Sequence, residues 1–238
     1  MELGYVLHRW PFQETSLIVE LFTAENGRIR TVAKGAKRAK SPWRGILQPF
    51  TLLELEYRGR GELQTLTRAE VSAPLLPLSG KMLFSGFYLN ELIQRCTGPM
   101  QPADELFSAY QAALAELSQL SQSAPSAALE VALRRFEWAL LEHLGHGFDW
   151  QACAHTAEPI QAQQRYGFIA ESGFVQQADG PYLGADIIRC GDGYWDIEVP
   201  LSLLKAVMRQ ALRPHLGATP LKSRSLFSTG TGSIGTGQ

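Results

Sequence analysis

The feature that constrains this chain most is a turn. Asn26-Gly27 stands between two runs of alternating character, Ser16-Leu17-Ile18-Val19-Glu20-Leu21-Phe22 and Arg28-Ile29-Arg30-Thr31-Val32-Ala33, and an Asn-Gly pair in that setting signals a hairpin. Three further short runs, Tyr5-Val6-Leu7, Thr51 to Tyr57 and Leu63 to Thr67, share the partial period of two, and Arg58-Gly59-Arg60-Gly61 supplies a second turn. Five short strands in roughly seventy residues, with no helical stretch between them, predict antiparallel pairing and closure into a small barrel. An oligonucleotide-binding (OB) barrel has this size, and so does an SH3-like barrel.

After Pro74 and Pro77 the period becomes that of a helix. Met82, Leu83, Gly86, Leu89, Leu92, Ile93 and Cys96 share the face of a helix that Ser79 can cap and Thr97-Gly98-Pro99 ends. Pro102, Asp104 and Glu105 open a second helix, in which Leu106, Phe107, Tyr110, Leu114 and Leu117 recur at helical spacing. A third, from Ser126 to Leu144, is apolar on two sides, with Leu129, Leu133, Phe136, Leu140 and Leu144 on one and Val131 and Trp138 nearly opposite. Such a helix has two neighbours, or one neighbour and a face that receives a partner.

Residues 148 to 199 lose the period; Asp179-Gly180-Pro181, Asp192-Gly193 and the alternating Tyr194-Trp195-Asp196-Ile197-Glu198-Val199 predict turns and some strand. Pro200 then opens a last helix. The expected fold class is α+β and multidomain. It comprises an OB-fold barrel over 1–78, a helical domain over 79–148 and a small irregular β-containing insertion over 149–199. A C-terminal helix and turn over 200–226 pack on the helical domain, and a Gly/Ser/Thr-rich tail over 227–238 is disordered.

Charge is segregated along the chain. Its 22 basic and 23 acidic residues nearly cancel, yet Arg28, Arg30, Lys34, Lys37, Arg38, Lys40 and Arg44 follow one another without an Asp or Glu between them. A strand that passes its charges to a loop containing Gly35 sets flexible cations where an extended anion can lie, and nucleic acid is the anion that fits. Trp43 is either a stacking surface there or the lid of the core beneath a merely solubilising loop. Lys205, Arg209 and Arg213, four apart, form a ridge on the last helix and, with Lys222 and Arg224, offer a second surface for a polyanion. On the third helix, Arg134 and Arg135 beside Trp138 suit a partner's acidic peptide with a hydrophobic end.

No constellation for catalysis emerges. Cys96, Cys153 and Cys190 are odd in number and widely spaced, so no disulfide framework is expected. Cys153-Ala154-His155 and the distant Cys190 lack the close pairs of a structural zinc site, so no metal is expected. His143 and His146 have no acidic residue at a metallohydrolase spacing, no phosphate-binding loop is present, and Asp192, Asp196 and Glu198 lack a base or metal partner. The reading is a binder with no catalytic residue and no cofactor, either of nucleic acid or, alternatively, a structural adaptor linking other proteins without direct contact to DNA. The first residues include His8 and Arg9 before any long apolar run and no stretch reaches membrane-spanning length, so a cytoplasmic protein without a leader is expected.

Several of these residues also resemble a known family. Gly4-Tyr5-Val6-Leu7 with Arg9 and Glu14, Leu21-Phe22-Thr23 followed by Gly27, Ala33-Lys34-Gly35-Ala36-Lys37-Arg38, Leu47-Gln48-Pro49-Phe50, and Leu216-Gly217 with Pro220-Leu221-Lys222-Ser223-Arg224 are similar, in order and spacing, to the RecO family of bacterial recombination mediators. Leu133-Arg134-Arg135-Phe136-Glu137 looks like that family's helical domain. The resemblance implies an OB barrel, a helical domain and a small segment that in many members is a four-cysteine zinc module; here Thr156 stands where a second cysteine would, and Cys190 has no paired neighbour. This departure matches a branch without zinc, whose module is held by packing. The resemblance further implies binding of single- and double-stranded DNA, annealing of complementary strands, contact with the acidic C-terminal tail of single-strand-binding protein, and work with RecR in loading RecA. It makes Lys34, Lys37, Arg38 and Lys40 the DNA-facing set, with Arg134 or Arg135 and Trp138 at the tail pocket.

Overall fold

The alternation at the front of the chain becomes five strands, β1 (Glu2–Phe12), β2 (Ser16–Thr23), β3 (Gly27–Ala33), β4 (Leu52–Arg58) and β5 (Leu63–Val71). They close in the order β1-β2-β3-β5-β4, with β4 antiparallel to β1 and a parallel β3–β5 pair as the seam. That order is the OB barrel's, and the SH3-like alternative falls. Val6, Val19, Leu21, Ile29, Leu53, Leu55 and Leu66 fill the interior, joined by Leu47 from the β3–β4 connection. The β2–β3 turn requires its glycine twice over: Gly27 has φ +58°, and a Cβ there would lie 1.9 Å from the carbonyl oxygen of Gln101.

A computed structural model describes residues 1–121, 123–191, 195–196 and 198–223. Its contacts gather into two compact units, one formed by Met1–Gln122 with Pro220–Gln238 and the other by Ser123–Thr219. The helices expected as one domain over 79–148 are therefore divided. Those closest to the barrel in sequence, α1 (Gly80–Cys96) and α2 (Asp104–Gln119), belong with it. Pleating explains this, because Tyr5 and Phe22 are opposite neighbours in the β1–β2 register and face away from the interior occupied by Val6 and Leu21. Left in water they would be a costly apolar patch; instead their rings meet Phe107 and Tyr110 of α2 at centroid distances of 5.2–5.8 Å. Asn90 of α1 donates to the Leu7 carbonyl at 2.8 Å and accepts from the Tyr110 hydroxyl. Ser79 occupies the N-cap position of α1, but its side chain makes no capping hydrogen bond.

The chain returns to this unit at its end. Glu91 of α1 accepts the backbone N–H groups of Lys222 and Ser223 and the Ser223 hydroxyl, while Arg95 bridges Glu91 and the Pro220 carbonyl. Arg224 and the tail expected over 227–238 lie outside the described residues.

In the second unit α3 (Ser126–His143) packs against α5 (Leu201–Leu216). The antiparallel sheet β7-β6-β8 is built from β6 (Arg165–Ile169), β7 (Gly173–Gln176) and β8 (Tyr182–Leu183). An aromatic cluster binds its parts: Phe148 lies 5.0 Å from Trp150 and 4.8 Å from Phe168, and Trp150 lies 5.4 Å from Phe174 and 5.7 Å from Trp195. This cluster is the second neighbour that α3 needs, since Trp138 meets Phe148 at 5.0 Å and Trp150 at 5.8 Å. Two expectations are corrected here. Trp195, Asp196, Glu198 and Val199 form no strand, Tyr194 and Ile197 being outside the described residues; Trp195 turns inward and its indole N–H donates to the Cys190 carbonyl at 2.6 Å. A short helix, α4 (Gly184–Gly191), was not foreseen, and it buries Ile187 and Cys190 three positions apart.

The most consequential polar contact is in the barrel unit. Glu20 on β2, 1% exposed, accepts from Arg28 at 2.6 Å, from Arg30 at 3.1 Å and from Gln94 of α1 at 2.7 Å. Arg28 also donates to the Thr97 carbonyl at 2.8 Å. Removing one partner of a buried pair strands the other charge, so Glu20→Ala should destabilise the protein by about 3 kcal/mol or more. Urea unfolding of variant and parent checks this, and a loss below about 1 kcal/mol would place the network at the level of an ordinary surface pair.

Candidate nucleic-acid interface

The connection from β3 to β4 is a succession of tight turns. Backbone N–H groups of Ala36, Arg38, Ser41 and Arg44 each donate to the carbonyl three residues earlier, and Gly35 adopts φ +69°. The loop is fastened underneath. Trp43 and Ile46 pack against the barrel core, Leu47 enters it, and the Trp43 indole N–H donates to the Lys34 carbonyl at 3.1 Å. Of the two readings of Trp43, the lid of the core is the one its packing supports. On the near side, the Lys37 N–H and ammonium donate to the carbonyls of Thr15 and Gln13 at 2.8 and 2.9 Å.

Fastened in this way, the loop exposes Lys34, Lys37, Arg38, Lys40 and Arg44. Among the described residues no carboxylate forms an ion pair with any of the five. The two strand cations behave differently. The Arg28 side chain is only 12% exposed and is committed to Glu20 and Thr97, so it leaves the DNA-facing set. Arg30 is half exposed and keeps a solvent-facing part beside its bond to Glu20.

Beside Arg30 lies a feature the sequence reading missed. The Arg30 guanidinium sits 5.9 Å from the Trp10 ring centroid, and the exposed His8 ring meets Trp10 edge-on at 4.4 Å. A half-buried indole with a cation over it, on the strand surface of an OB barrel, is a platform on which a base can stack. The signal was present as the i, i+2 spacing of His8 and Trp10 on β1, masked by the polar residues around it.

The second basic surface is partly engaged. Lys205 pairs with Glu130 at 3.0 Å, Arg209 and Arg213 are exposed on α5, and Lys222 is exposed in the barrel unit. On α3 the two neighbouring arginines separate. Arg134 is buried and pairs with Glu137 at 2.7 Å, one turn on, and so drops out of the partner pocket. Arg135 is exposed and donates to the Trp195 carbonyl. With Trp138, Trp150, Cys190, Gly191 and Trp195 it lines a cavity of about 230 Å³. An apolar aromatic wall with one cation at its edge is the chemistry expected of a pocket for an acidic, hydrophobic-ended peptide.

The segment read as a zinc-module remnant carries a knuckle around Cys153. The Cys153 N–H donates to the Glu158 carbonyl and the Ala157 N–H to the Cys153 carbonyl, both at 2.8 Å. Burial alone would raise the Cys153 thiol, but hydrogen bonds from the Thr156 hydroxyl and from the backbone of Gln176, His155 and Thr156 bring it down to about 7. Thr156 is thus the knuckle's own internal partner. The other thiols go the opposite way, Cys96 raised to about 11 and Cys190 to about 12 by burial. Among the described residues no helix is long and apolar enough to cross a membrane.

Barrel, cationic loop and helical unit define the class, an OB-barrel protein extended by a helical unit with a small sheet. The chain belongs to the Recombination protein O family: the model of that family's N-terminal part matches residues 1–75, and that of its C-terminal part matches residues 78–181. It is 49% identical over 228 residues to the DNA repair protein RecO of Idiomarina loihiensis, covering 93% of this chain and 95% of the relative. The DNA repair protein RecO of Actinobacillus succinogenes is 43% identical (94% of each chain). That of Vibrio cholerae is 41% identical (94% of this chain, 91% of the relative). The family places this chain in DNA repair.

Because Cys96 and Cys190 stay protonated near neutrality, a thiolate absorbance that develops around pH 7 belongs to Cys153. Its pKa lies below the ordinary thiol value of 9.0, so folded-state stability should rise as the pH climbs from about 7 to about 9 and be lost as it falls through 7. Thr156→Val should move this absorbance step to higher pH, as followed by an ultraviolet titration. An unmoved step would show that Thr156 does not hold the sulfur.

Proposed function

We propose that this chain is a non-catalytic DNA-binding protein of recombinational repair. It binds single- and double-stranded DNA, anneals complementary strands and, with RecR, helps load RecA onto DNA coated by single-strand-binding protein. The observation that carries the reading is the set of five exposed loop cations, Lys34, Lys37, Arg38, Lys40 and Arg44, with no carboxylate paired to them among the described residues. A protein acting on DNA in this way works in the cytoplasm, at the nucleoid.

Annealing needs no catalytic residue. Two complementary strands repel through their phosphates, and a surface that neutralises backbone charge while leaving base edges free lowers the barrier to their encounter. The loop cations and Arg30 hold one strand, with Trp10 available to stack a base. Arg209 and Arg213 on α5 are offered as the surface for the other; Lys205 contributes less because Glu130 already neutralises it, and Lys222, in the barrel unit, is a separate cation. Recruitment to coated DNA follows from the α3 cavity. The acidic tail of single-strand-binding protein would pair its carboxylates with Arg135 and insert its hydrophobic end against Trp138 and its aromatic neighbours.

If about five phosphates are contacted, single-strand affinity should fall about 100-fold between about 50 and 200 mM salt. With Lys34, Lys37 and Arg38 changed together to Ala, the fall should shrink to less than about tenfold. Fluorescence anisotropy across a salt series measures both slopes. Equal slopes would remove the loop from the interface and favour an adaptor that never touches DNA.

For the cavity, a titration with a peptide of the partner's tail should show Arg135→Ala and Trp138→Ala each weakened at least about tenfold. Lys205→Ala, on another helix, should match the parent. Equal affinity in all four proteins would defeat the pocket.

A further inference from the structure

Among the described residues, one group of metal-ligating side chains lies apart from the basic loop and the aromatic cavity. His146, just past the end of α3, Glu171, in the turn between β6 and β7, and His215, in the last turn of α5, present ligand atoms that all fall within 4.8 Å of one another. The two imidazole rings stand 4.4 Å apart at 41°. All three residues belong to the second compact unit.

Their placement is not that of an ordinary surface cluster. The histidines are half-buried, and the glutamate reaches them from an exposed turn. That turn is closed by a hydrogen bond from the Ser172 N–H to the Ile169 carbonyl. Each residue comes from a different element, so no local sequence preference brings them together. Only the packing of α3, α5 and the small sheet does so.

We propose that His146, Glu171 and His215 bind a zinc ion, which ties the ends of α3 and α5 to the β6–β7 turn. Two imidazoles and one carboxylate form a donor set suited to Zn²⁺, with water as the fourth ligand, whereas one hard oxygen donor is too few for Mg²⁺ or Ca²⁺. Tetrahedral zinc with bonds of about 2.0–2.2 Å places its donors roughly 3.4 Å apart. The donors, all within 4.8 Å of one another, need to close by roughly 1.4 Å at most to reach that spacing. The site uses none of the three cysteines. It is distinct from the place where relatives with cysteine pairs would carry zinc, and its role is to brace the fold of this unit.

Co²⁺ serves as a visible stand-in for zinc. The full chain, stripped of metal by a chelator and dialysed, should take up one equivalent of Co²⁺, giving visible bands of a nitrogen–oxygen site without a near-ultraviolet thiolate band. Zn²⁺ should displace it and raise the midpoint of thermal unfolding. Loss of outer-shell partners already costs 10–100-fold in metal affinity, so His146→Ala and His215→Ala should weaken Zn²⁺ by at least about 100-fold. Glu171→Gln, at an exposed turn position where the fold is not at risk, should weaken it at least about tenfold. His155→Ala should bind like the parent. Uptake only at millimolar Co²⁺, a thiolate band, or parental affinity in Glu171→Gln would overturn the assignment.

Discussion

A single buried carboxylate organises the barrel unit. Glu20 points out of the barrel wall where α1 covers it, and a charge so placed is tolerated only if donors surround it. The β2–β3 hairpin supplies two of them, because its register sets Arg30 directly opposite Glu20 and leaves Arg28 two residues along the same strand face. Gln94 supplies a third from α1, and Arg28 also donates to the Thr97 carbonyl. Hairpin, helix and the connection after the helix are thus tied at one point. The network costs desolvation, and it gives the unit a fixed geometry rather than a large net stabilisation.

The same network sorts the basic run into two populations with different work. Cations on the strand are drawn inward or shared with Glu20, and the loop cations from Lys34 to Arg44 meet no carboxylate among the described residues and are exposed. The loop that carries them is not loose, since Trp43 and Leu47 fasten it to the core and Lys37 is tied back to the β1–β2 turn. A set of charges held in place beforehand costs less to bring against a phosphate backbone than the same charges on a free tail. In the second unit an aromatic cluster performs the corresponding task, holding a small sheet that is too short to be stable alone.

Much of this was legible from the sequence. Asn26-Gly27 and the alternation around it give the hairpin, and with it the barrel. The observed pairing of Thr23 with Gly27 sets Glu20 opposite Arg30, whereas a two-residue turn at Asn26-Gly27 would set Glu20 opposite Ala33, so the capture of the strand cations was hidden and the seven charges read as one run. The helical period announces α1, α2 and α3 but says nothing of which surface each one covers. That depends on Tyr5 and Phe22, far away in sequence, and so the domain division was missed. Arg134 and Arg135 look alike in sequence and differ by the 100° between successive helix positions, which buries one beside Glu137 and leaves the other at the cavity. α4 is too short and too closely followed by turn residues to declare itself, and His146, Glu171 and His215 are brought together by tertiary packing alone.

The proposed role of the charge that the barrel places on this loop is to quiet the repulsion between nucleic-acid strands. It is tested most directly by the rate at which the purified protein joins complementary single strands in the absence of any nucleotide, compared with a variant in which all five exposed loop cations are replaced by Gln. The parent should accelerate joining at low salt, the acceleration should fade as salt rises, and the variant should join strands no faster than they join without protein. A folded variant that anneals as fast as the parent at every ionic strength would contradict this role.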